Sequence, residues 1–168
     1  DALVLPGDGA FAATMAEVER RGLLPVLREA VEKGTPLLGI CIGMQLLFEE
    51  SEEHGRHRGL GFLPGRVRRF EGDLPVPHMG WNQLRGRRAH PILAGIADGA
   101  HVYFVHSYYC DAPDDVVIAC SDYGHDFAAI VGRGSVLGVQ FHPEKSQEVG
   151  LRMVESFVRV VDAAGRAA

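Results

Sequence analysis

The stretch that most constrains this chain runs from Thr35 to Phe48, Thr-Pro-Leu-Leu-Gly-Ile-Cys-Ile-Gly-Met-Gln-Leu-Leu-Phe. Its first part, through Ile40, reads as a buried strand, and its last part reads as a helix. Between them Cys41 is bracketed by Gly39 and Gly43. A reactive side chain in a sharp strand-to-helix turn, with Gly two residues away on either side, has the form of a nucleophile elbow with Cys in the Ser position. Such a turn leaves no room for a Cβ at the flanking positions, and Gly tolerates its strained backbone. The sulfur lies at a helix N-terminus, where free N–H groups and the dipole favour a thiolate, so a lowered Cys41 pKa is predicted. The next amide, that of Ile42, is placed to bind a developing oxyanion. The same short pattern also suits a small buried Cys in an α/β turn.

The order of elements around the elbow sets the fold class. Asp1 to Leu5 reads as a strand and Pro6-Gly-Asp-Gly9 as a turn. Phe11 to Arg21 and Leu23 to Lys33 have helical spacing, with Gly34 placed to end the second helix. Strand, helices, strand, turn and helix in that order argue for a central, mostly parallel sheet with helices on its faces. From Ser51 onward short strands are predicted among Gly and Pro turns: Gly65 to Phe70, Val76 to Trp81, Ala100 to Tyr109, Val116 to Cys120, Phe127 to Val131 and Val136 to Phe141. They indicate a smaller antiparallel part, and Val149 to Ala163 reads as a terminal helix. The expectation is one α/β domain over residues 1–168, a length sufficient for a sizeable core.

Composition narrows the function classes. The chain has 46% hydrophobic and 23% charged residues and a net charge of -5. That mildly acidic balance gives no support for nucleic-acid binding. No apolar stretch is long enough to span a membrane. The three cysteines, Cys41, Cys110 and Cys120, form no Cys-x-x-Cys pair, so neither a zinc site nor a disulfide framework is expected. A reducing, cytoplasmic setting fits this usage, with Cys110 and Cys120 as structural thiols.

Gly138-Val-Gln-Phe-His-Pro-Glu144 supplies a partner for Cys41. Residues two apart on an extended chain share a face, which places His142 and Glu144 together and sends Phe141 the other way. Pro143 favours extended geometry at His142. A carboxylate beside a histidine fixes its tautomer and stabilises the imidazolium. Alone, His-Pro-Glu also suits a surface loop; with the elbow it supplies the base and orienter that a Cys nucleophile needs.

Together these motifs resemble the triad, or class I, glutamine amidotransferases. Pro6-Gly-Asp-Gly9 resembles the oxyanion-strand motif of that family. Pro77-His-Met-Gly-Trp-Asn82, Tyr103-Phe-Val-His-Ser-Tyr108 and His142-Pro-Glu-Lys-Ser146 are similar to the glutaminase subunits of imidazole glycerol phosphate synthases, enzymes of histidine biosynthesis. The resemblance implies hydrolysis of L-glutamine and delivery of ammonia to a (β/α)8 cyclase partner in a heterodimer. It implies Cys41 as nucleophile, His142 as general acid and base, and Glu144 as its orienter. Ile42 and the Gly7-Asp8 region would form the oxyanion hole, and Gly43, Gln45, Ser107 and Tyr108 would hold glutamine. His78, Met79, Trp81, Asn82, Tyr103 and Lys145 would face the partner. No metal or organic cofactor is implied.

The chain departs from the family pattern twice. The family opens with a strand, a helix and a second strand that are missing here, and it usually has Val where Asp8 stands. A γ-glutamyl hydrolase with the same elbow, or a catalytically silent docking module, are the rival readings. The Trp81 segment argues against the first, and the intact Cys, His and Glu set against the second.

Overall fold

A computed structural model describes residues 1–167. The elements that carry the site are named here in chain order. Strand β1 (Leu3–Leu5) leads to helices α1 (Phe11–Arg20) and α2 (Leu23–Glu32), then to β2 (Leu37–Ile40) and the short helix α3 (Ile42–Leu46). Short strands follow: β3 (Glu50–Ser51), β4 (His57–Arg58), β5 (Arg66–Arg69), β6 (His78–Gln83) and β7 (Arg85–Gly86). The second half contains β8 (His101–His106), β9 (Tyr108–Asp111), β10 (Val117–Asp122), β11 (Asp126–Arg133), β12 (Val136–Val139) and the terminal helix α4 (Gln147–Ala167).

The chain is an α/β fold around a 6-stranded sheet in the order β1-β2-β12-β11-β10-β7. The sheet is mixed, where the sequence predicts a mostly parallel one. β1, β2 and β12 run parallel, whereas β12-β11, β11-β10 and β10-β7 are antiparallel. The physical reason is connection length. Short turns at Tyr123–His125 and Gly134–Ser135 join β10 to β11 and β11 to β12, and such links cannot make a parallel crossover. A 4-stranded sheet, β4-β3-β5-β9, and the β6-β8 ribbon form the smaller part.

Helices cover both faces because β2 and β12 are apolar on both sides. Leu37 and Val136 pack with Phe11, Met15, Val18 and Leu27 of α1 and α2 on one face. Leu38 and Leu137 pack with Met153 and Phe157 of α4 on the other. β1 is an edge strand of the sheet, and its Val4 is exposed.

Element existence follows the sequence closely, and the boundaries differ for local reasons. α3 ends at Leu46, where the helical run was predicted through Phe48, and the chain turns at once into β3. The strand predicted over Ala100 to Tyr109 is broken at Ser107. Its first half pairs with β6 and its second with β5, so the chain changes sheets there.

Candidate active site

The elbow is built by close backbone approach. A Cβ at Gly43 would lie 1.7 Å from the Leu5 carbonyl oxygen, and one at Gly39 would lie 2.6 Å from the Gly43 oxygen. Gly7 is held in the same way, since a Cβ there would come within 2.7 Å of Ile42 Cβ. The flanking glycines are therefore required for space. The backbone strain sits on Cys41 itself, at φ 53 and ψ -113, a conformation that L-residues rarely adopt. β1, its following turn and the elbow consequently form one tightly packed unit that fixes the direction of the sulfur.

Cys41 lines a cavity of about 960 Å³ together with Gly7, Asp8, Ile42, Gln45, Ser107, Tyr108, His142, Glu144 and Lys145. The structure thus brings together every residue predicted for nucleophile, base, orienter and oxyanion contact, and three of the four predicted to hold substrate. Gly43, the fourth, is buried under the elbow, where its packing role is evident.

His142 Nδ1 lies 2.7 Å from Glu144 Oε1. The pair forms differently from the strand-face expectation. β12 ends at Val139, and Pro143–Lys145 is a 3-10 turn. The turn curls the carboxylate back to the imidazole, while Phe141 is buried on the opposite side as predicted. Ser146 locks this loop: its Oγ donates to the His142 carbonyl at 2.6 Å and accepts the Tyr103 N–H at 3.0 Å. The His142 N–H in turn donates to the Tyr103 carbonyl at 3.0 Å.

The prediction of a lowered Cys41 pKa is overturned. Burial pushes the thiol up to about 11, against the pull of the Ile42 N–H and Lys145 and with further upward pressure from Asp8 and Glu144. The helix that was to favour the thiolate has 5 residues, too few for a strong dipole, and desolvation wins. The resting group is a neutral thiol, so its chemistry needs a base at hand.

Four further residues at or beside the cavity are not singled out by the sequence. Gln140 Nε2 reaches Cys41 Sγ at 3.8 Å, and Gln140 Oε1 accepts from Gln45 Nε2 at 3.2 Å. Its alternation with His142 along the extended chain is a signal that could have found it. Glu53, only 9% exposed, lines the cavity and accepts the Phe11 N–H at the start of α1 through Oε2. It lies in a polar loop with no periodicity to mark it. Ser146 and His106 became visible only through their partners.

The predicted partner face divides. Met79 and Trp81 are 61% and 47% exposed on the outer side of β6, with Trp81 edge-on to Tyr103 and Lys145 Nζ 6.0 Å from the Tyr103 ring centre. His78 is 3% exposed, a correction to its place among surface contacts: strand alternation turns it inward. Asn82 shares that inner side, donating to the Asp122 carbonyl at 2.7 Å.

Residues 1–161 match the class-I glutamine amidotransferase family. The chain belongs to that family. It is 51% identical over 163 residues to the imidazole glycerol phosphate synthase subunit HisH of Bacillus cereus (strain G9842), covering 97% of this chain and 78% of that protein. The HisH of Geobacillus kaustophilus is 54% identical over 170 residues, covering 97% of this chain and 80% of its own length. Among solved structures, a glutamine amidotransferase superposes with TM-score 0.70 at 25% identity, over 94% of this chain and 79% of its own. A glutamine amidotransferase from Thermotoga maritima shares the fold with TM-score 0.64 at 19% identity, over 98% of this chain and 65% of its own. The amidotransferase is thus an enzyme of the glutaminase type and a close relative of HisH.

Proposed function

We propose that this amidotransferase hydrolyses L-glutamine through Cys41, His142 and Glu144 and passes the ammonia to a (β/α)8 cyclase in the cytoplasm for imidazole glycerol phosphate synthesis. The observation that carries the catalytic part is the strained Cys41 facing one cavity with a hydrogen-bonded His142–Glu144 pair.

The residues suggest the following sequence. His142 takes the thiol proton as Sγ attacks the carboxamide carbon, and Glu144 stabilises the imidazolium that results. The oxyanion forms between the Ile42 N–H and an amide of the Gly7-Asp8 turn. Collapse breaks the C–N bond, His142 returns its proton to the leaving nitrogen, and a glutamyl thioester remains. Water, deprotonated by His142, attacks the thioester; the C–S bond breaks, and glutamate and the free thiol are released. The substrate ammonium group fits the cavity-lining Glu53 carboxylate, and Gln45 Oε1 is a buried acceptor that finds no partner among the described residues. Ser107 and Tyr108 complete the cavity wall through backbone and hydroxyl groups, and Gly43 supports it only by its packing beneath the elbow.

A thiol held neutral by burial suits an enzyme that works well only when its partner is docked. Met79, Trp81, Tyr103 and Lys145 supply an aromatic and cationic face for the barrel, and Asn82 borders it. The test is ammonia release from glutamine with and without a cyclase partner and its nucleotide ligand. Slow turnover alone and a rise of at least tenfold in the complex is the expected result, with Trp81→Ala weakening docking by about 2 kcal/mol. Rapid turnover that ignores the partner would identify a stand-alone hydrolase instead.

A further inference from the structure

Two buried histidines outside the triad form a line from the β6 strand to the cavity wall. His78 Nδ1 lies 3.0 Å from His106 Nε2, and His106 Nδ1 lies 2.7 Å from the Tyr108 carbonyl oxygen. On the far side, Asn82 Nδ2 lies 3.2 Å from His78 Nε2. The position of each proton follows from its partners. A carbonyl only accepts, so His106 carries its proton on Nδ1. Burial pushes His78 down to about 4 and His106 to about 3, so both rings are neutral near pH 7 and hold one proton each. His106 Nε2 is therefore bare and accepts from His78 Nδ1–H. His78 Nε2 is bare in turn and accepts from the Asn82 amide. That amide cannot be reversed, because Asn82 Oδ1 accepts the Gln83 N–H at 2.8 Å while Nδ2 donates to the Asp122 carbonyl at 2.7 Å.

The line ends where substrate is held. The Tyr108 carbonyl also accepts from Gln45 Nε2 at 3.1 Å, and Gln45 leads on to Gln140 and Cys41 Sγ. Gln45 Nε2 thereby donates to both Tyr108 and Gln140, which leaves its Oε1 a buried acceptor without a partner among the described residues. The His78 ring is stacked against Tyr123 and Phe104 at centroid distances of 4.1 and 5.0 Å, which restrains it from turning over.

We propose that His78 and His106 are positioning residues: a one-way hydrogen-bond line, Asn82 to His78 to His106 to the Tyr108 carbonyl, orients the Gln45 amide for glutamine. The kinetic part rests on the glutaminase reading; the tautomers do not. Because Met79 and Trp81 occupy the outer side of the strand whose inner side carries His78 and Asn82, the line also ties the docking face to the substrate wall. A buried polar pair that merely fills the core would tolerate loss of either ring without a change in substrate affinity.

Two measurements decide between them. Nitrogen-15 histidine spectra of the whole chain between pH 6 and 8 should show both rings neutral and protonated at Nδ1, the opposite of the form that a histidine side chain favours in water. An Nε2-protonated or cationic ring at either position overturns the line, whatever the enzyme does. In the complex with the cyclase, His106→Leu should raise KM for glutamine about tenfold with a smaller change in kcat. His106→Asn, whose amide can still donate to the Tyr108 carbonyl, should return KM to within about threefold of the parent. An unchanged KM in a folded His106→Leu enzyme, or no rescue by Asn at equal thermal stability, refutes the positioning role. Absence of turnover in the parent complex would count against the glutaminase reading alone, since the spectra still test the line.

Discussion

The elbow and the β6–β8 ribbon both bury a titratable side chain at the cavity, and they hold it by opposite means. At the elbow, Cys41 is aimed by backbone packed so tightly that Gly7, Gly39 and Gly43 have no room for a Cβ. Few hydrogen bonds are involved, and the neutral thiol follows from burial. In the ribbon, His78 and His106 are aimed by hydrogen bonds whose direction depends on where each proton sits. A site held by missing atoms is intolerant of added volume. A site held by protons is intolerant of a change in charge state.

The largest effect tests what the elbow is for. Cys41→Ala should lower ammonia release by on the order of 10⁴-fold or more while leaving stability within about 1 kcal/mol of the parent. Undiminished turnover would separate the elbow from the chemistry. Gly43→Ala should then show what holds it, costing about 3 kcal/mol by denaturant titration because its methyl meets the Leu5 carbonyl. A cost below about 1 kcal/mol would mean that β1 and the elbow can separate.

Acid should find the ribbon. The folded pKa values of His78 and His106 are depressed below the usual histidine value, so in the window from 6.5 down to about 4 the unfolded chain binds more protons than the folded one. Stability therefore falls on acidification through that window, by about 1.4 kcal/mol per pH unit for each histidine. Substituting Asn for His106 should make the fall shallower, as read by denaturant midpoints across the range. An identical slope would mean that His106 is not the buried neutral ring described above.

The smallest effect is at Asp8. Its carboxylate is exposed and accepts the Gly9 N–H at 2.9 Å, yet its charge still raises the Cys41 pKa. Asp8→Asn keeps the acceptor and removes the charge, so alkylation of Cys41 at pH 8 should quicken by no more than about threefold. Slower or unchanged alkylation would show that the loop conformation outweighs the charge.

How much of this was legible in the sequence differs between the same two regions. The elbow could be read because its constraint is local: Gly-x-Cys-x-Gly after an apolar strand leaves few ways to fold. The triad partners could be read because they lie two residues apart. The Cys41 pKa could not, since its largest cause is burial, which is set by distant parts of the chain and outweighs the short helix. In the ribbon, the motif Pro-His-Met-Gly-Trp-Asn marks the right strand, but strand alternation sets His78 on the face opposite Trp81 rather than beside it. Glu53 and His106 are not marked in the sequence because their distant partners, Phe11 and His78, are brought to them by tertiary packing. The antiparallel half of the central sheet is harder to read because strand direction depends on turn length, which periodicity does not report.

The most direct test of the central claim is covalent labelling. The enzyme is incubated with an electrophilic glutamine analogue in the presence of its cyclase partner, and the modified peptide is identified by mass spectrometry. One adduct on Cys41, suppressed by excess L-glutamine and sparing Cys110 and Cys120, is the predicted result. Labelling of Cys110 or Cys120 at a comparable rate, or labelling of Cys41 that glutamine does not suppress, would contradict it.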